Sequence, residues 1–208
     1  MKKLLCTSVA GLLIGNALPA FAASTTDLTV QGLIVPSACV PSLSKNAIEL
    51  GRISVADLNE ETRTQLTSNT LLLNVDCEAA TLFAMKATDN RVESASNVIE
   101  FGIGKTASDQ NIGGYVMFLD KGIADLAPVG TIFSLDNGST WGTLWPDDGV
   151  QTDFLVSIRD PGAARTPIPA KNTQFELKVN PFINAKKDVT IAEDTTIDGS
   201  VTIDVRYL

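Results

Sequence analysis

The chain has 208 residues, with 24 acidic against 16 basic side chains and a net charge of −8, a balance that argues against a nucleic-acid partner. It contains no histidine, which removes the usual general base, the usual neutral metal ligand and every Ser-His or Cys-His catalytic arrangement. Enzyme classes lose most of their support, and the chain is read as non-catalytic, with no cofactor and no metal site.

The first residues read as a secretory signal. Lys2 and Lys3 form the charged region, Leu4 to Leu18 the apolar one and Ala20-Phe21-Ala22 the small-x-small cleavage site. The apolar stretch is interrupted by Gly11, Gly15 and Asn16, and nothing after it approaches the roughly 18 consecutive apolar residues of a membrane span. Cleavage after Ala22 would leave 208 − 22 = 186 residues and remove two lysines, moving the net charge from −8 to −10. The expected layout is a signal over 1–22, a short extension over 23–31 and one domain over 32–208, exported through the Sec pathway. Of the three cysteines, Cys6 leaves with the signal, so Cys39 and Cys77 remain as a pair in an oxidising compartment and are predicted to be bonded.

Beyond the signal the pattern is period two, in short runs rich in Val, Ile, Thr and Phe and bounded by Gly, Asn, Asp and Pro. No amphipathic helix stands out. Strands are predicted at Leu28 to Val35, Ala47 to Ile53, Thr70 to Asp76, Leu82 to Thr88, Ile99 to Ile103, Gly114 to Leu119, Thr131 to Leu135, Gln174 to Ile183 and Ser200 to Tyr207. Many short strands with frequent turn signals imply a sandwich or barrel. Asp136-Asn137-Gly138 is a hairpin signal, because Asn and Gly tolerate positive φ, and Trp141 is expected just beyond it. The Pro-rich stretch from Asp160 to Pro169 reads as a long surface loop or a kinked edge strand.

Three local patterns suggest chemistry and each has a plainer reading. Gly104-Lys105-Thr106 imitates the end of a phosphate-binding loop, but the required glycine at position 99 is Ile99, so it reads as a turn. Asp147-Asp148-Gly149 lacks the alternating oxygen ligands of a calcium loop and reads as a solvated turn. Glu60-Glu61 and Asp147-Asp148 are acid pairs of the kind a hydrolase would need, and paired acids in loops are usually solvated charge. Trp141 and Trp145 share one face of an extended strand and would form either core or a stacking platform for a sugar ring.

Gly32-Leu33-Ile34-Val35-Pro36-Ser37-Ala38-Cys39, then Leu50-Gly51-Arg52-Ile53, Leu58, Leu71 to Val75 and Cys77 closely resemble the first half of chaperone-usher pilins, the subunits of Gram-negative surface fibres. The far end agrees: Val201, Ile203 and Val205 alternate with Thr202, Asp204 and Arg206, and the penultimate residue is Tyr207. The middle, from Phe101-Gly102-Ile103 to Gly113-Gly114-Tyr115, is similar to fimbrial-like secreted proteins filed as a domain of unknown function.

The resemblance implies an immunoglobulin-like, pilin-type β-sandwich that lacks its last strand and is completed by a donor strand from a neighbour. It implies a periplasmic chaperone, an outer-membrane usher and other pilin subunits as partners, with Val201, Ile203, Val205 and Tyr207 as the chaperone-docking strand. The expected place is the periplasm in transit and then the fimbrium, in a role contributing to cell adhesion, with a host or surface glycan as a possible ligand. The donor candidate is Ala23 to Gln31, where Leu28 and Val30 share a face with Gly32. Polymerising pilins usually carry a longer extension with an internal glycine, so Leu28 and Val30 could instead begin the first sandwich strand. The rival reading is a free-standing secreted or periplasmic binding module with a glycan or protein ligand near Trp141 and Trp145.

Overall fold

The computed structural model describes residues 38–208. The signal, the extension with Leu28 and Val30, Gly32 and the strand predicted over Leu28 to Val35 therefore lie outside the described residues.

The described chain is all β. In order, it forms β1 (Cys39–Leu43), β2 (Thr64–Gln65), β3 (Asn69–Thr81), β4 (Phe83–Asp89), β5 (Phe101–Gly102), β6 (Gly113–Ala124), β7 (Ala127–Pro128), β8 (Gly130–Ser134), β9 (Gly142–Leu144), β10 (Leu155–Arg159), β11 (Ala170–Ile183) and β12 (Val201–Tyr207). Two sheets result, both antiparallel. One runs β1-β3-β11-β6-β5, with β2 on β11 and β7 on β6, and the other runs β12-β4-β10-β8-β9. Among the described residues no helix is long and apolar enough to cross a membrane.

Alternation makes this a sandwich. Leu71, Leu73, Val75 and Cys77 on β3, Met117 and Leu119 on β6, and Phe175, Leu177 and Val179 on β11 are buried, while Thr70, Leu72, Asp76 and Glu78 point outward. The second sheet contributes Phe83, Met85 and Ala87 from β4 and Val156 and Ile158 from β10, and all of these join one apolar cluster. Side chains of successive strand residues leave opposite faces, so a period-two pattern on two sheets places one wall of each against a shared core.

The disulfide forms as predicted. Cys39 and Cys77 are register partners on β1 and β3 with Cα atoms 4.0 Å apart, a cross-strand placement that pins the first described strand to the longest early one. Closing a separation of 38 residues stabilises the fold by roughly 3 to 4 kcal/mol in the chain-entropy account.

Several elements differ from expectation. The strand over Ala47 to Ile53 does not form: residues 45–53 have neither a ladder partner nor a backbone–backbone hydrogen bond among the described residues. Its alternation is nevertheless real from Ala47 to Leu50, where Ile48 and Leu50 are half-buried, and Ile53 is half-buried after two exposed residues. A strand needs a neighbour as well as a pattern, and this segment faces an open lane. The Ile99 to Ile103 strand shrinks to Phe101–Gly102, whereas β6 runs past its predicted end to Ala124 and β11 begins earlier than predicted, at Ala170. At Asp136-Asn137-Gly138 the expected positive φ is present, 55° at Asn137 and 90° at Gly138. The connection is not a tight hairpin, because β8 ends at Ser134 and β9 begins at Gly142. The stretch from Asp160 to Pro169 is a loop between β10 and β11.

Candidate functional site

Among the described residues the two sheets do not close along one side. β1 is the edge of the first sheet and β12 the edge of the second, and between them lies a groove of about 1300 Å³. Core side chains form its floor, among them Leu71, Met117, Leu177, Val179 and Ile183. One wall is the unpaired segment after β1, with Ile48, Leu50 and Ile53, and the other is the stretch from Ile191 to Gly199 leading into β12.

The pairing of β12 fixes which backbone groups face this lane. Its register with β4 pairs Val201 with Asp89 and Tyr207 with Phe83, and the flanking bonds run from Asn90 N–H to Ser200 O and from Leu208 N–H to Leu82 O. In an antiparallel ladder, bonded and non-bonded pairs alternate. Ser200, Thr202, Asp204, Arg206 and Leu208 therefore turn their N–H and C=O toward β4, and Val201, Ile203, Val205 and Tyr207 turn theirs away. These outward backbone groups have no partner among the described residues. The same Val201, Ile203 and Val205 are half-buried and pack on the core, while Thr202, Asp204 and Arg206 are exposed. The predicted docking strand thus offers one free ladder edge beside an apolar floor, which is the arrangement that accepts an added strand.

The two ends of the lane differ. At one, the Tyr207 hydroxyl accepts the Cys39 backbone N–H at 3.0 Å, bridging the sheets. At the other, Gly199 passes so close to the core that a Cβ there would lie 3.1 Å from both Ile103 and Tyr115. That end is anchored by Arg91, whose Nη2 lies 2.5 Å and whose Nε lies 3.1 Å from Asp198 Oδ2, and by the Asp198 N–H donating to Ile103 O. Asp89, itself buried, accepts the Arg91 and Gly102 N–H groups. Tyr115 lines the groove here, its ring stacked on Phe101 at 5.3 Å. Burial, and secondarily the Asp89 carboxylate, hold its phenol above the ordinary tyrosine range.

The remaining predicted residues fall elsewhere. Trp141 is half-buried and donates its indole N–H to Gly138 O at 3.1 Å, whereas Trp145 is 63% exposed. Of the two alternatives, core or platform, Trp145 does not take the core one, because β9 ends at Leu144 and the chain turns: Trp145 N–H donates to Asp148 Oδ2, and Asp148 N–H to Trp145 O, both at 2.9 Å. Trp141 belongs to a strap. A Cβ at Gly138 would lie 3.6 Å from Trp141 and 3.5 Å from Leu208, although β8 and β12 are three strand spacings apart, roughly 14 Å. Residues 135–141 must cross the outer face of the second sheet to reach Leu208, which accounts for the complete burial of Ile132 and Ser157 on that face. Asp136 organises the strap by accepting from Thr140 Oγ1, Thr140 N–H and Ser134 Oγ, and these bonds hold its carboxyl at about 2.

Gly104-Lys105-Thr106 is a turn, closed by Thr106 N–H to Gln110 O and by the Lys105–Asp109 ion pair. Glu60 and Glu61 pair at the surface with Lys186 and Lys187. Among the described residues no group of three or more His, Cys, Asp or Glu side chains is placed to hold a metal ion.

Sequence reading missed Tyr115 and the 191–199 wall as parts of this site. Tyr115 closes the Gly113-Gly114-Tyr115 stretch of the resemblance but reads there only as a strand position, and Ile191 and Ile197 are isolated in a polar stretch without periodicity.

Residues 28–100 match the model of a family described as a protein of unknown function, DUF1120. That span takes in both cysteines, β1, β3, β4 and the unpaired wall of the groove. The chain is similar to the uncharacterized protein YhcF of Escherichia coli (strain K12), 27% identical over 237 residues, covering 95% of this chain and 98% of that one. It is also similar to protein GltF of the same organism, 26% identical over 250 residues, covering 100% of this chain and 98% of that one.

Proposed function

We propose that this protein is an exported structural subunit whose groove receives a β-strand from another polypeptide, in the manner of a fimbrial subunit built by donor-strand exchange. The carrying observation is the edge of β12, where four residues turn backbone groups with no partner among the described residues toward an apolar lane. Leaving buried-side backbone groups unpaired and core side chains open is costly. An added strand satisfies both, through a ladder of main-chain bonds and through alternate side chains that each contribute roughly 1.5 to 3 kcal/mol when fully buried. The disulfide suits an oxidising compartment such as the periplasm, and the pilin-like motifs point to a chaperone and sister subunits as the strand donors, with assembly at an outer-membrane usher. No step of this work is catalytic.

The test is extraction of surface material from the producing cell, followed by gel analysis without boiling. Strand-exchanged polymers run as a ladder that collapses on boiling, and a single monomer band before heating contradicts the proposal.

A further inference from the structure

We infer that the Tyr115 hydroxyl selects the strand that fills the lane, donating a hydrogen bond to a side-chain hydroxyl on the N-terminal segment of a second copy of this chain. This rests on the strand-accepting role proposed above and adds to it a specificity element at one position.

Tyr115 is nearly buried, yet its hydroxyl has no hydrogen-bond partner among the described residues. Unlike Thr173 Oγ1 and Asn180 Oδ1, it is not sealed from solvent. Around it the groove is lined by the apolar side chains of Ile103, Ile112 and Ile183. With its phenol held in the protonated form, Tyr115 is a donor at neutral pH. A strand that laid an apolar side chain over it would remove the water from this O–H and return nothing, weakening binding by about tenfold or more.

The segment before the described residues has the complementary pattern. On one face of an extended strand it carries Ser24, Thr26, Leu28 and Val30, two hydroxyls followed by two apolar side chains, to set against a phenol and an apolar floor. Tether length argues against delivery by the chain's own copy. It joins at Cys39, which Tyr207 holds at the opposite end of the lane. β12 is seven residues long, so doubling back along it from Ala38 would bring Gln31 and Gly32 to the Tyr115 end and carry Ser24 and Thr26 past it. A second copy has no such constraint.

The experiment titrates a labelled synthetic peptide of residues 23–35 into the full mature chain and reads binding by fluorescence anisotropy. Tyr115→Phe removes one oxygen, and its melting temperature checks that the fold survives. Ser24→Ala with Thr26→Val in the peptide leaves the protein untouched. Each change alone should weaken binding about 5- to 10-fold, and the two together no more than either alone. Unchanged affinity for Tyr115→Phe, or losses that simply add, overturns the inference while leaving strand acceptance intact. No binding of the unaltered peptide by the unaltered chain overturns strand acceptance, and the inference with it.

Discussion

The phenolic oxygen of Tyr207 accepts the backbone N–H of Cys39 at 3.0 Å, joining the end of the last strand to the start of the first described one, directly beside the Cys39–Cys77 bridge. Two residues 168 positions apart thereby close one end of a lane that, among the described residues, is open along the rest of its length. The penultimate tyrosine has a place inside its own fold, whatever it also offers to a partner. Tyr207→Phe should cost about 0.5 to 1.5 kcal/mol, the net worth of one hydrogen bond, read as a lower urea midpoint with an unchanged slope.

Replacing both Cys39 and Cys77 by serine should cost roughly 3 to 4 kcal/mol. Cys39 lies at the sheet edge on a five-residue strand, so the loss should be greatest where β1 meets β3. Urea unfolding with and without reductant measures it, and reductant should not affect the double variant.

The Asp136 strap sets an acid limit. Its carboxyl titrates in the folded state at about 2, held down by Thr140 and Ser134. Because the folded pKa lies below the unfolded value near 3.9, the stabilising contribution is present above pH 4 and is lost as pH falls through 2. Trp141 is tied to the strap through Gly138, so its fluorescence should shift between pH 4 and pH 2. Asp136→Asn should show the shifted emission already at neutral pH.

Gly102→Ala should be costly for a different reason. A Cβ there would lie 2.2 Å from Ser94 Oγ and 2.3 Å from Arg91 O, at the corner where Asp89 accepts the Gly102 N–H. Overpacking of this kind costs about 1 to 3 kcal/mol, and the measured loss in melting temperature should exceed that of Gly51→Ala. Gly51 has open space around it and only its φ of 69° to oppose a side chain.

Much of this fold is legible in the residues. Leu71, Leu73 and Val75, or Phe175, Leu177 and Val179, alternate without ambiguity because each strand has one buried and one wet face, and the cysteine pair follows from counting. What escapes sequence is pairing. Ile48 and Leu50 alternate with exposed neighbours and Ile53 is half-buried in turn, yet no strand forms, because the pattern records burial and not the presence of a neighbour. β10 was missed because Leu155 to Ile158 are all buried, so no wet face marks a period. The strap was missed because burial of Ile132 and Ser157 depends on a loop returning across the sheet. Of the site, the β12 alternation was visible, whereas Tyr115 and the 191–199 wall become a site only once the sheets are stacked.

Amide hydrogen exchange along β12 tests the open lane most directly. In the isolated mature chain, Thr202, Asp204 and Arg206 should be protected by β4, while Val201, Ile203, Val205 and Tyr207 exchange freely. Adding the peptide of residues 23–35 should protect those four. Seven protected amides before any peptide is added, or four that stay unprotected at saturating peptide, would contradict the account.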